Sequence, residues 1–216
     1  MKKRILSCLM AIALCLTLLP AAALAEDATA MPAYSGGSGT EDDPWLISSV
    51  ADLQLLANTI NNGDAAAFDA DCTDTGEGIP GNYHGYYFKQ TIYLDLNGIA
   101  NWDPIGYSGG CYFAGHYDGD GHTISNAKST GKNDDEGFAT AGIFGWVAFG
   151  SVKNLHVKNA NFLATGQNEY SYVGGIAGVC YGSSIKNCSV VNSSLESKRN
   201  NNNCLLYTSA LKDAIQ

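Results

Sequence analysis

Charge is scarce in this 216-residue chain, and positive charge scarcest: 21 acidic residues stand against 12 basic ones, a net of −9. A surface of that sign repels nucleic acid and anionic lipid, so neither is an expected partner. The four histidines, His84, His116, His122 and His156, are scattered, with no Glu or Cys at metal-ligand or triad spacing. No His-Glu-x-x-His occurs, which excludes the zinc-protease helix that this motif builds. Cysteine is present but not as a framework. Cys72, Cys111, Cys180, Cys188 and Cys204 follow the first 25 residues, an odd number without regular spacing. Apolar runs are short apart from residues 5–19, and a bilayer span needs ~20 residues.

That run reads as part of a signal peptide over residues 1–25. Lys2-Lys3-Arg4 gives the basic start, and Ala23-Leu24-Ala25 the small residues of a cleavage site. The chain is therefore expected to be exported, with no membrane attachment of its own after cleavage. Every one of the 25 glycines follows this leader. Such density argues for short strands joined by tight turns.

Helical periodicity occurs once. Ser48 or Ser49 offers an N-cap with Asp52 completing an approximate capping box, and Leu53, Leu56, Ala57 and Ile60 share one face. Asn61-Asn62-Gly63 stops the run after about 12 residues. With the short strand at Asp43-Pro44-Trp45-Leu46-Ile47, it forms an expected N-terminal cap over residues 36–63, behind a flexible lead at 26–35. Residues 64–82 read as a loop or insertion.

The strongest signal is a repeat. Residues 142–162 superimpose without a gap on 175–195, an offset of 33. Gly142-Ile143-Phe144-Gly145 falls on Gly175-Ile176-Ala177-Gly178, and Val152-Lys153-Asn154-Leu155 on Ile185-Lys186-Asn187-Cys188. A fixed period of this length marks a solenoid. Ile124-Ser125-Asn126 aligns with Val152-Lys153-Asn154 as an earlier copy. The reading that follows is all-β: a right-handed parallel β-helix of about four coils over residues 83–197, with three strands per coil. Ile124, Val152 and Ile185 stack inward, and Ser125, Lys153 and Lys186 face water. Asn126, Asn154 and Asn187 occupy left-handed bends and hydrogen-bond from coil to coil. Ile92, Leu94 and Leu96 form a half-buried strand, and Cys188, in the place of Leu155, a buried thiol.

Those Gly-x-x-Gly and Val/Ile-Lys-Asn segments resemble the GLUG motif of bacterial surface proteins. Gly37-Ser38-Gly39-Thr40 with Asp43-Pro44-Trp45 looks like the opening of such domains, and Asp118-Gly119-Asp120-Gly121-His122-Thr123-Ile124 resembles the turn before their first repeat. The resemblance implies an exported cell-wall or surface protein, often of Gram-positive gut bacteria, with the β-helix near the N-terminus of a longer chain. Some relatives carry an immunoglobulin A1-cleaving zinc peptidase downstream, whose motif this chain lacks. Residues 198–216 are expected as a tail without a place in the fold. From Cys204, Cys-Leu-Leu-Tyr-Thr-Ser reads like a translated library adapter, a sign of truncation.

Candidate sites are few. Asp118-Gly119-Asp120-Gly121 lacks the twelfth-position glutamate of an EF-hand and reads as a structural turn, with weak surface calcium as the alternative; no cofactor is implied. The outward positions as aligned contain no acid, and catalysis by paired carboxylates is not expected. Tyr170 and Tyr172, placed in a loop, are the ligand-binding candidates. The expected role is a secreted or cell-surface rigid spacer or adhesive module that contacts a glycan or host glycoprotein and joins the cell wall through downstream modules. The alternative is a carbohydrate-active enzyme, or a non-catalytic accessory region of a surface metallopeptidase.

Overall fold

The structure, a computed structural model, describes residues 33–63, 83–108, 110–134, 137–165, 171–198 and 204–205. The predicted leader, the loop at 64–82, Cys72, Tyr170 and most of the tail lie outside these residues.

The N-terminal elements form where the sequence places them. Trp45–Ile47 is strand β1 and Val50–Asn61 is helix α1. The Ser49 hydroxyl caps α1 by accepting from the Asp52 N–H at 3.1 Å. The Asp52 carboxylate accepts in return from the Ser48 N–H and from the Ser35 and Ser49 hydroxyls. Leu53, Leu56, Ala57 and Ile60 are buried in the main core. The lead is not loose to its end. Tyr34 packs on Trp45 and Phe88, and its hydroxyl meets that of Tyr83 at 3.1 Å.

The rest is a parallel solenoid. Its first turn contains β2 (Tyr87–Gln90) and β3 (Leu94–Asp95). The second contains β4 (His116–Asp118), β5 (Thr123–Ser125), β6 (Lys128–Ser129), β7 (Lys132–Asn133), β8 (Ala139–Ala141) and β9 (Phe144–Ala148). The third contains β10 (Ser151–Lys153), β11 (His156–Lys158), β12 (Asn161–Ala164), β13 (Ser171–Val173) and β14 (Ala177–Tyr181). β15 (Ser184–Lys186), β16 (Ser189–Val191), β17 (Ser194–Ser197) and β18 (Cys204–Leu205) begin the next. Equivalent strands pair in parallel across turns, giving sheets β1-β2-β4-β10-β15, β3-β5-β11-β16, β6-β12-β17, β7-β8-β13-β18 and β9-β14. Among the described strands, β7 alone pairs antiparallel, with its neighbour β8.

The described residues complete about three turns, where the sequence spacing gave an expectation of four. The third turn holds five strands rather than three: Gly142-Ile143 and Gly175-Ile176 form the expected bends, and the chain runs straight on from them into the additional strands β9 and β14. None of Gly142, Gly145, Gly175 and Gly178 has a positive φ. Their role is close approach: a Cβ on Gly145 would lie 2.1 Å from the Gly106 carbonyl oxygen, and one on Gly175 would lie 2.4 Å from a Val190 methyl.

The 33-residue offset holds at every pair of the two repeats, including Val152 with Ile185 and Phe162 with Leu195. The earlier copy is out of register. Val152 pairs with Tyr117, and Ile124 pairs with Val157 and Leu94. Ser125 alternates outward beside Asp95 and Lys158 but is buried, its hydroxyl meeting that of Tyr93. Ile92 is 43% exposed, because the chain leaves β2 before it and the buried alternation starts only at Leu94. The tail also differs from expectation: the backbone of β18 pairs with β13, Tyr172 with Cys204 and Val173 with Leu205. An unpaired strand edge presents N–H and C=O groups that an extended segment can satisfy.

Asn126, Asn154, Asn159, Asn187 and Asn192 all have φ between 49° and 58°, the left-handed region asparagine tolerates. Four of them form two ladders, not one. Asn187 donates to Asn154 at 2.7 Å, and Asn154 to Asp118 at 2.9 Å. Asn159 donates to Asn126 at 3.3 Å, and Asn126 to Asp95 at 2.8 Å. Each ladder starts on a carboxylate, which only accepts, so the amides point their donors one way without leaving a stranded N–H₂ at the base. Replacing Asn154 by Ala should cost about 1–2 kcal/mol more than replacing it by Gly, since both lose the ladder but only Ala suffers the left-handed backbone. Chemical denaturation of the two variants measures the difference; equal losses would mean that the backbone there relaxes freely.

Candidate functional site

In the first sheet Phe88, Tyr117 and Val152 point inward, so period-two alternation sends their neighbours outward. Tyr87, His116 and Ser151 form one outward column, and Lys89, Asp118 and Lys153 the next. With Glu41, Asp42 and Pro44 from the segment before β1, these side chains line an open cleft of about 610 Å³.

The floor is crowded with internal partners. The His116 ring lies 4.5 Å from that of Tyr87, and its Nδ1 is 2.9 Å from the Ser151 hydroxyl. Burial, then His84, holds its pKa below the ordinary imidazole value, against the pull of Glu41. Lys153 bridges Asp118 at 3.2 Å and Lys89 bridges Asp120 at 3.1 Å. Burial alone would raise the Asp118 pKa. Donation from the Asn154 amide, the Asp120 N–H and Lys153 outweighs it, and the carboxyl stays below its usual range. Asp95 is lowered too, chiefly by the Asn126 amide.

These groups are engaged with one another. Asp118 has both oxygens engaged, one by Asn154 and the Asp120 N–H and the other by Lys153, which disfavours it as a proton donor. The histidine–serine pair recurs between adjacent turns as His156 and Ser189 at 2.6 Å in the second sheet. Repetition in two sheets marks the pair as a product of stacking. The Asp118-Gly119-Asp120-Gly121 turn spends its carboxylates on lysines and amides. No cluster of three or more metal-ligating side chains occurs among the described residues.

Acid should weaken this arrangement in two stages. His116 has a lowered folded pKa, so its stabilising effect is present above the unfolded value of ~6.5 and fades below it. Asp118 and Asp95, also lowered, contribute above ~3.9 and lose that contribution as pH falls further. Denaturation midpoints across pH 3 to 8, for the native chain and Asp118→Asn, check this; the variant should lose less below about pH 4. Identical acid profiles would contradict the role given to Asp118.

Sequence reasoning missed Asp118 as an outward partner of Lys153, because a register shift hid it. Of the two predicted ligand-binding residues, Tyr170 lies outside the described residues. Tyr172 is half-buried at the centre of β13, not in a loop, and its ring meets Trp146 edge-on at 6.2 Å. Cys188 is a buried thiol, as expected, and its pKa is raised mainly by that burial. Cys111 and Cys180 are thiols as well.

No family model matches the chain. It is 33% identical over 150 residues to Halomucin of Haloquadratum walsbyi, a match that takes in 67% of this chain and 1% of that protein's length. The backbone is also similar to a crystal structure from Bacteroides ovatus, described provisionally as an immunoglobulin A1 protease. That likeness has a TM-score of 0.47 and 20% identity, and covers 75% of this chain and 51% of the other. No helix among the described residues is long and apolar enough to cross a membrane.

Proposed function

We propose that this chain is an exported, surface-displayed β-solenoid module of the GLUG type, acting as a rigid spacer that also contacts a glycan or glycoprotein. The observation that carries the reading is the in-register stack itself: sheet after sheet repeats at one offset, and side-chain amides bond turn to turn. Such a stack resists bending at any one turn, which suits a spacer. The match to part of Halomucin supports an extracellular, mucin-like setting.

In this reading α1 and β1 close the first-turn end against solvent. Asn61 supports that role by donating to the Pro104 carbonyl and accepting from the Gly106 N–H. Further turns and wall-attachment modules follow downstream in the longer protein. No cofactor and no catalytic step belong to the proposal, since the ionic groups of the cleft already hold one another.

The test is retention on surfaces coated with mucin and on a broad glycan array, with folding verified by circular dichroism. Retention on any class supports the contact role. A folded protein retained on none leaves the spacer role alone.

A further inference from the structure

Apart from the main core lies a second apolar cluster. Tyr112, Ala114 and Ala148 are buried together, with Trp146 packed against them. Phe113 and Val147 pair across turns and point inward, so these neighbours sit on the outer face of the fifth sheet. From Tyr112 the rings continue along the solenoid axis. Phe149 lies 6.2 Å from Tyr112 and Tyr181 lies 5.4 Å from Phe149, each edge to face. Exposure rises along the row: Tyr112 is 5% exposed, Phe149 39% and Tyr181 63%.

Phe149 carries the argument. Its φ is +59°, a conformation that bulky residues avoid and that glycine adopts freely. One repeat later the same position is Gly182, φ +55°, as the backbone requires. A Cβ on Gly182 would lie 3.2 Å from the Phe149 ring, so the bare glycine makes room for it. The chain thus holds a partly exposed ring in a strained conformation, where its own repeat uses glycine. Strain kept at an exposed side chain points to a role beyond packing.

We infer that the Tyr112–Phe149–Tyr181 row is a binding surface for an uncharged glycan, one sugar ring stacking on Tyr181 and the next against Phe149. Aromatic faces are electron-rich and attract the polarised C–H groups of a pyranose face. The row contains no charged side chain, and the net charge of −9 opposes acidic polysaccharides. A protein partner fits less well. The exposed parts of the rings amount to roughly 200–300 Å², against about 800 Å² per partner in a standard interface. This inference rests on the contact role proposed above and assigns it to one face.

The test is calorimetric titration of the protein with neutral hexasaccharides of glucose, mannose and N-acetylglucosamine, and with an acidic uronate hexasaccharide. At least one neutral sugar should bind and the uronate should not. Tyr181→Ala and Phe149→Gly should each weaken that binding tenfold or more, with melting temperatures within a few degrees of the native chain. Binding unchanged in Tyr181→Ala, or binding of the uronate alone, overturns the inference while leaving the contact role intact. A large loss of melting temperature in Phe149→Gly, with Tyr181→Ala still binding, makes the ring a structural one and also overturns it. Absence of binding to any sugar, and to mucin, removes both the inference and the contact role.

Discussion

Replacing Gly145 with Ala should cost about 3 kcal/mol or more, the upper range for overpacking, and lower the melting temperature by about 10 °C. The new Cβ would sit 2.1 Å from the Gly106 carbonyl oxygen and 2.9 Å from the Tyr107 Cα. Both neighbours are backbone, and no rotamer change can move them aside. The same two segments hold each other by hydrogen bonds from the Gly145 N–H to the Ile105 carbonyl and from the Trp146 N–H to the Gly106 carbonyl. Separating them to admit a methyl group would break those bonds. Gly98 is the control, because a Cβ there meets nothing within 4 Å; Gly98→Ala should change stability by less than about 0.5 kcal/mol. Differential scanning calorimetry of the two variants decides, and equal shifts would mean that the turns do not approach as closely as described.

Its neighbour in β9 has the opposite requirement. Phe144 is fully buried, with its ring 5.1 Å from Phe113 and 5.4 Å from Tyr117. Through Phe113 the contacts run on to Phe88, and from there to Trp45 and Tyr34. This aromatic file inside the solenoid joins the N-terminal elements to β9 in the fifth sheet. Phe144→Ala should cost about 3–5 kcal/mol, the usual range for truncating a buried phenylalanine. Phe144→Leu, which keeps most of the volume, should cost less than half of that. Urea denaturation of the pair measures both, and a loss below about 1 kcal/mol for the alanine variant would place Phe144 outside the core.

The sequence discloses this architecture through particular residues. The ungapped match of 142–162 with 175–195 predicted a parallel stack, and the strands of the two repeats pair in parallel at that offset. Helix α1 was legible from its cap and its four apolar positions. The register of the earlier turn was not, for a physical reason. A single turn contains Val152-Lys153-Asn154 and Val157-Lys158-Asn159, two inward–outward–bend triplets five residues apart. Ile124-Ser125-Asn126 matches either. It belongs with the second, because the corner after Asp118 is two residues longer: the offset is 35 between Asp118 and Lys153 but 33 between Thr123 and His156.

The consequence for the site was direct. With Ile124 placed on Val152, the outward column showed lysine and serine and no acid. Correct pairing sets Asp118 between Lys89 and Lys153, and brings His116 beside Tyr87 and Ser151. The cleft is built by three separate turns and by Glu41 and Asp42, far away in sequence. No local pattern could assemble it. The left-handed Phe149 was likewise hidden, although its alignment with Gly182 was available: a phenylalanine opposite a glycine in a repeat is a signal of backbone strain.

Backbone nuclear Overhauser contacts across turns test the stack most directly. Amide protons of the Val152 strand should lie close to α protons of the strands of Tyr117 and Ile185, and those of the Val157 strand close to the strands of Ile124 and Val190. Backbone contacts between the Val152 and Ile124 strands, or the cross-strand α-proton pairs of antiparallel neighbours, would contradict it.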